Sequence, residues 1–283
     1  MNQGDRVGGN PRVKQIARRI VTDIFKAIED LDIQPEEFWT GVSWLNELGR
    51  TGEFGMVTAS LGFDRLLDIR LDESDGRACL ALGTPRAIEG PLFIPNAPLC
   101  EGEARLDDGT AEGELMVMEG RVTDLQDRPV KGTIVHVWHA NPEGRYSHFD
   151  PTQSEFNFRR RIKTDDKGWY RFRSLMPSGY GPPLGSPTAK LLDLLGRHGY
   201  RPAHVHLMVE APEHRLLTTQ INIAGDTYID DDAAFATRDG LIVDVVKVED
   251  PKEIARRKLE GAFSLIRFDI KIQPKSSCAT VVG

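Results

Sequence analysis

Near its start the chain places Val13, Ile16, Ile20, Ile24, Ile28 and Leu31 at intervals of three and four, the stripe of an amphipathic helix. A second helix is expected in QPEEFWTGVSWLNELGR: Pro35 suits a first turn, Glu36 and Glu37 favour its positive end, and Gly49 can end it. A shorter helical piece is expected from Gly52 to Leu67. From about Arg86 the period changes. Short alternating or β-branched runs follow, separated by Gly, Pro and Asp turns: GELMVMEGRVTD, TIVHVWHA, WYRFRSLMP, AHVHLMVEA, LTTQINIAG, LIVDVVKV and SLIRFDIKI, with TDDKGWY reading as a hairpin turn. Many strands without interposed helices predict an α+β fold that is mainly β, with a helical region over 1–85 and an antiparallel β-sandwich or barrel over 86–283. The segment GSPTAKLLDLLGRHGYRP interrupts the strands as a loop with a short helix, and long loops on a β scaffold are where chemistry is usually carried.

Composition removes several classes of function. With 283 residues, 40% hydrophobic and 28% charged, the chain has the make-up of an ordinary globular protein. A net charge of -7 argues against nucleic acid or an anionic membrane as the main partner. The one dense basic run, Arg159 to Arg161 with Lys163, reads as a solvated strand edge. No window is apolar enough for a transmembrane segment, and MNQGDRVGGN lacks the apolar core of a signal peptide, so a cytoplasmic protein is expected. Cys79, Cys100 and Cys278 are far apart and form no CxxC, which speaks against a disulfide framework or a thiolate zinc site. Any metal must be held by nitrogen and oxygen.

RPAHVHLMVE supplies the nitrogen. In an extended chain His204 and His206 stand on one face, about 7 Å apart at the Cα, a workable bite for one metal ion. Two core histidines satisfied by hydrogen bonds are the bland alternative, although two imidazoles among Ala, Val, Leu and Met are costly unless both find partners. Glu210 shares their parity, so HVHLMVE also echoes half of a cupin motif, without the following glycine or a second motif. His136 and His139 fall on opposite strand faces and read as structural. A hard ferric ion would instead favour tyrosinate oxygen. Of five tyrosines, Tyr146 in EGRYSHFD and Tyr180 in MPSGYGPP lie in loops rich in glycine and polar residues. Tyr170 sits in a strand pattern, and Tyr200 directly precedes RPAHVH.

The ordered set VWHANPEGRYSHFD, SEFNFRRRIKTDDKGWYRFRSLMPSGYG, LDLLGRHGYRPAHVH and LTTQIN resembles the intradiol ring-cleavage dioxygenases, and the resemblance runs from GGNPRVKQI through TPRAIEGPLF to FDIKI. It implies a non-haem Fe(III) cofactor held by Tyr146, Tyr180, His204 and His206, with Tyr180 and His206 axial and Tyr146, His204 and hydroxide equatorial. It implies that catechol binds through both oxygens as a dianion, that Tyr180 takes up a substrate proton, and that O2 opens the ring between the hydroxylated carbons to give cis,cis-muconate. Arg201 and Gln220 match positions that act on the substrate, the guanidinium stabilising charge on the ring carbon. Without the resemblance, a surface salt bridge and a strand-face amide would be the simpler readings.

The substrate pocket implied by the resemblance is Met56, Ala59, Ile88, Pro91, Leu92, Ala233 and Ala234. Catechol-specific members commonly carry Phe where DDDAAFATRDG places Ala233, and a Leu and Pro near Met56 and Ala59. The expectation is therefore a roomier pocket that tolerates substituted catechols, such as methyl- or chlorocatechols. The resemblance also implies a homodimer through the N-terminal helices, with an apolar tunnel there for a phospholipid. The Val13 to Leu31 stripe is compatible with that role and equally with plain core. Relatives usually carry additional helical residues before the stretch that matches GGNPRVKQI. Two further readings differ in kind: a cupin-type metal oxygenase on His204, His206 and Glu210, and a β-sandwich binding module with structural histidines.

Overall fold

The computed structural model describes residues 9–77 and 83–275. Cys79 and Cys278 lie outside them, and Cys100 is a free thiol. The chain divides into two compact units, Met1–Glu53 and Phe54–Gly283.

The first unit holds helices α1 (Pro11–Asp30) and α2 (Pro35–Thr51). The Asn10 side chain accepts from the backbone N–H groups of Arg12 and Val13 and so starts α1. A capping box between Gln34 and Glu37 starts α2. Gly49, the expected stop of α2, lies inside the helix; Gly52 ends it in the left-handed conformation, at φ 74°. The α1 stripe formed by Val13, Ile16, Ile20 and Ile24 is exposed.

The second unit opens with α3 (Phe54–Ser60) and α4 (Phe63–Arg77) where a single piece ending at Leu67 was expected. Gly62, at φ 79°, separates the two. The continuation of α4 carries a weak apolar signal because ion pairs anchor it. Asp72 binds Arg86 at 2.8 Å and Arg238 at 2.7 Å, and Asp75 binds Arg215 at 2.9 Å.

The strands are β1 (Leu99–Glu101), β2 (Glu103–Arg105), β3 (Leu115–Thr123), β4 (Ile134–His139), β5 (Arg159–Lys163), β6 (Trp169–Leu175), β7 (His204–Glu210), β8 (Leu217–Ile223), β9 (Ile242–Val243), β10 (Val246–Val248), β11 (Phe263–Arg267) and β12 (Ile270–Lys271). One sheet runs β1-β5-β4-β7-β8-β9 and the other β10-β11-β3-β6-β2, with β12 also on β3. The β5-β4-β7-β8 ladder and the β3-β6 pair are antiparallel, and β1, β2, β9 and β12 add parallel pairings. The short helices α5 (Pro187–Leu194) and α6 (Pro251–Arg256) complete the unit.

TDDKGWY does not close a hairpin: it carries the chain from β5 in the first sheet to β6 in the second. Its turn chemistry is as expected, with Asp165 Oδ1 accepting from the Lys167 and Trp169 N–H groups, but turn residues do not determine which partner each flanking strand takes. The basic run is not a solvated edge either. β1 covers that side of β5, and Arg159 is buried.

Alternation divides each inner strand. Val135 and Val137 on β4, Val205, Leu207 and Val209 on β7, and Ile221 and Ile223 on β8 meet Met116, Met118 and Phe172 of the other sheet in one core. The positions between them, Trp138, His204, His206, Gln220 and Asn222, therefore face outward, yet all five are buried. Something else covers that face: the loops after β4, β6 and β8, and the segment before β1, whose Leu92 and Phe93 pack against the Trp138 cluster.

Candidate active site

On the outer face of the first sheet, β-register pairs His206 with Trp138 on one side and Gln220 on the other, and His204 with Asn222. The indole of Trp138 stacks flat on His206, centroids 4.7 Å apart with 2° between planes, and fixes that ring. His204 Nδ1 lies 2.7 Å from the Pro202 carbonyl, so Nδ1 carries the proton and Nε2 keeps its lone pair. The two histidines turn their Nε2 atoms toward each other, 3.1 Å apart.

Two loops bring phenols to the same spot. In the loop after β4, Asn141 Oδ1 accepts from the N–H groups of Glu143, at 3.0 Å, and Arg145, at 2.8 Å, which shapes the turn that delivers Tyr146. In the loop after β6, Tyr180 pairs its backbone with Arg201, N–H to O at 3.2 Å and O to N–H at 2.8 Å, and is thereby set beside β7. Their close approach explains two glycines. A Cβ on Gly144, at φ 79°, would lie 3.0 Å from the Gly179 carbonyl, and one on Gly179 would lie 2.5 Å from the Arg201 carbonyl. The Tyr146 and Tyr180 rings meet edge to face at 5.3 Å, and Tyr180 lies 5.5 Å from the His204 ring.

The electrostatics of this cluster call for a cation. Burial, then the neighbouring Tyr180, pushes the Tyr146 phenol well above its ordinary pKa. Burial, then the positive Arg201, pushes His204 down to about 3, and burial with His204 drives His206 well below its usual range. Both imidazoles are thus neutral at physiological pH, with lone pairs converging. The buried Tyr146 hydroxyl and His206 Nδ1 have no hydrogen-bond partner of normal geometry. Two imidazole nitrogens and two phenol oxygens form a donor set suited to a hard trivalent ion, which would reverse the phenol shift by coordination.

Arg201 is buried beside this set and hydrogen-bonded through all three of its nitrogens. Its Nη1 donates toward His204 Nε2 at 3.1 Å, its Nη2 to Gln220 Oε1 at 2.9 Å, and its Nε to Asp232 Oδ1 at 3.0 Å. Gln220 Nε2 in turn donates to Asn222 Oδ1 at 2.9 Å. Burial opposes the charge on Arg201, but Asp232 outweighs it and raises the pKa above the ordinary guanidinium value.

All seven expected pocket residues, Met56, Ala59, Ile88, Pro91, Leu92, Ala233 and Ala234, line one small cavity whose wall also includes Tyr180 and Arg201. Glu210 stands apart. It is exposed at the end of β7 with its Oε2 3.7 Å from His136 Nε2, and among the described residues no group of three or more His, Cys, Asp or Glu side chains is placed to hold a metal ion. That removes the cupin-type arrangement. His139 turns inward instead, its Nε2 2.9 Å from Ser174 Oγ.

Asp232 and Arg159 were not anticipated, nor was the Trp138 indole that stacks on His206. Asp232 is the only buried member of the run Asp230, Asp231, Asp232, and only the fold distinguishes it from its neighbours. Arg159 was expected to be solvated, but its Nη1 donates to the Leu92 carbonyl at 2.7 Å, its Nε to Ser147 Oγ at 2.9 Å, and its guanidinium sits 5.6 Å from the Tyr146 ring centroid. Burial pushes its pKa down to about 10, which still leaves it cationic at neutral pH.

Known proteins carry the same framework. Residues 10–78 match the family model described as catechol dioxygenase N terminus, and residues 88–274 match the one described as dioxygenase. The chain belongs to the intradiol ring-cleavage dioxygenase family. A catechol 1,2-dioxygenase from Acinetobacter baylyi is 50% identical to it over 271 residues, covering 95% of this chain and 87% of the relative. The crystal structure of wild-type Acinetobacter radioresistens catechol 1,2-dioxygenase superposes with a TM-score of 0.96 at 46% identity, covering 100% of this chain and 93% of that one. A chlorocatechol 1,2-dioxygenase from Pseudomonas putida is more distant, at 33% identity over 82% of this chain and 86% of the relative. Among the described residues, no helix is long and apolar enough to cross a membrane.

Proposed function

We propose that this family member cleaves catechol with O2 between its two hydroxylated carbons, giving cis,cis-muconate, at a non-haem ferric ion held by Tyr146, Tyr180, His204 and His206. The observation that carries this proposal is the convergence of two neutral imidazoles and two phenols beside a cavity lined by one of those phenols, Tyr180, and by Arg201. Held by these four residues, a ferric ion would supply Lewis acidity toward the substrate oxygens and redox chemistry toward O2.

The chain's own groups do the rest. As the tyrosinate that a bound ferric ion would favour, Tyr180 Oη would take up a substrate proton and leave as the neutral phenol, since Tyr180 both lines the cavity and belongs to the donor set. The Arg201 guanidinium, held charged by Asp232, stabilises negative charge that builds on the ring carbon as the substrate ketonises. Gln220 also fixes the guanidinium, accepting from Nη2. Met56, Ala59, Ile88, Pro91, Leu92, Ala233 and Ala234 exclude water and hold the ring. With Ala at 233 and Phe235 turned to Arg197 at 4.9 Å, no aromatic ring from this loop fills the wall, which would let it admit ring substituents.

The division of labour we propose is a helical region over 1–85 and a catalytic β-sandwich over 86–283, which the two matched stretches flank. The apolar α1 stripe would join two copies into a homodimer and could seat a phospholipid chain. The free Cys100 suits a reducing, cytoplasmic setting. Iron-loaded protein given catechol in air should consume O2 and form muconate, read by its ultraviolet absorbance. Formation of the yellow semialdehyde of cleavage beside the diol, or no O2 uptake, would overturn the assignment.

A further inference from the structure

On the outer face of the second sheet, opposite the candidate active site, lies a cleft lined by Arg105, Arg171, Arg173, Arg256, Arg257 and Lys258, with Glu103 its one carboxylate. Strand alternation builds its floor. Tyr170 and Phe172 point into the core, so Arg171 and Arg173 point out. The parallel pairing of β2 with β6 sets Arg105 directly opposite Arg173. Like charges in register destabilise a strand pair unless something neutral or negative intervenes. The C-terminal end of α6 adds Arg256, Arg257 and Lys258.

Most of these cations have a carboxylate behind them. Arg105 pairs with Asp107 at 2.7 Å, Arg171 with Glu119 at 3.1 Å, Arg257 with Glu119 at 2.9 Å, and Arg256 with Glu253 at 2.6 Å. Asp108 and Glu260 act on Arg105 from farther away. Among the described residues, Arg173 and Lys258 have no side-chain hydrogen bond or ion pair, while both line the cleft. A chain of net charge -7 thus concentrates six cations around one depression and leaves two of them unpaired.

We propose that this cleft binds a small doubly charged oxyanion, with Arg173 and Lys258 as its principal contacts and Arg105 brought in across the strand pair. Guanidinium groups bind carboxylate and phosphate through paired N–H donors, and the ligand would relieve the Arg105–Arg173 repulsion. Two sources share this chemistry: inorganic phosphate, and a dicarboxylate such as the muconate dianion proposed above as product. The site is remote from the ferric centre in either case and does not depend on that assignment.

Isothermal titration of iron-loaded, full-length protein with sodium phosphate and with cis,cis-muconate, at ionic strength held constant with NaCl, tests the proposal. Saturable one-site binding of either anion is expected, weakened at least tenfold in Arg173→Gln and in Lys258→Gln and largely preserved in Arg173→Lys, with catechol turnover unchanged in all three. The tighter of the two anions identifies the source. Heats matching the NaCl control, or binding that survives Arg173→Gln, as binding at the iron would, overturn the proposal.

Discussion

Asp232→Asn is the most informative single change, because one buried carboxylate holds both the Arg201 guanidinium and the pocket wall. Oδ1 accepts from Arg201 Nε at 3.0 Å and from the Ala234 N–H at 3.0 Å. Oδ2 accepts from Arg201 Nη2 at 3.2 Å and from the Ala236 N–H at 3.1 Å. Burial disfavours the charge, but Arg201 outweighs it and holds the Asp232 pKa below the usual carboxylate range. An amide of the same shape presents an NH2 to two N–H donors and leaves Arg201 buried without its counter-ion. Removing one partner of a buried pair costs about 3–5 kcal/mol. At roughly 2–4 °C per kcal/mol for a unit of this size, Tm should fall by about 10 °C. A displaced guanidinium should also cost about 10²–10³ in kcat, the scale of one lost charge-stabilising donor. Differential scanning calorimetry and steady-state O2 uptake measure the two effects, and the visible spectrum reports whether iron is retained. The expected result is a coloured, iron-replete, less stable and slow enzyme. A variant within 2 °C and threefold of the parent, taken as roughly the limits of an uncoupled substitution, would show that Asp232 positions nothing.

Three other outcomes follow from the same geometry. Ala233→Phe should lower kcat/KM for 4-chlorocatechol relative to catechol by about tenfold or more, the scale of a filled apolar subsite; an unchanged ratio would mean that Ala233 does not set the space. Burial lowers the His139 pKa to about 4, whereas the unfolded chain takes up that proton near 6.5, so its contribution is complete above pH 6.5 and is lost as pH falls toward 4, by about 3 kcal/mol. Urea titrations at pH 7 and pH 5 should show a shallower loss in His139→Gln, and an identical loss would remove His139 as the cause. Arg159→Met, which keeps bulk but gives up the bonds to Leu92 and Ser147, should lower Tm and broaden the tyrosinate band through a looser Tyr146; an unaltered band and Tm would refute that role.

Much of the site was legible because strand parity is a strict rule. It places His204 and His206 on one face and His136 opposite His139. Glycine-rich loop context set Tyr146 and Tyr180 apart from Tyr170, and the ordered motifs then joined the four. What stayed hidden depends on long-range contacts. Asp232 became a buried partner only when β7 and the loop after β8 met, and the charge of Arg159 suggested solvent until Ser147 and Leu92 supplied acceptors. The course of TDDKGWY between sheets was equally invisible, since Asp165 and Gly168 make the same tight turn whether the flanking strands pair or part. α4 runs on past Leu67 because Asp72 and Asp75, which add nothing to an apolar period, fasten it through ion pairs to Arg86, Arg238 and Arg215.

The two-tyrosine, two-histidine ferric site is tested most directly by the visible spectrum of the iron-loaded protein before and after anaerobic catechol. A broad tyrosinate-to-iron charge-transfer band that shifts when catechol binds is expected, changing in Tyr146→Phe and disappearing together with the iron in His204→Ala. A colourless protein with a full complement of iron, or a band that persists unchanged in Tyr146→Phe, would contradict it.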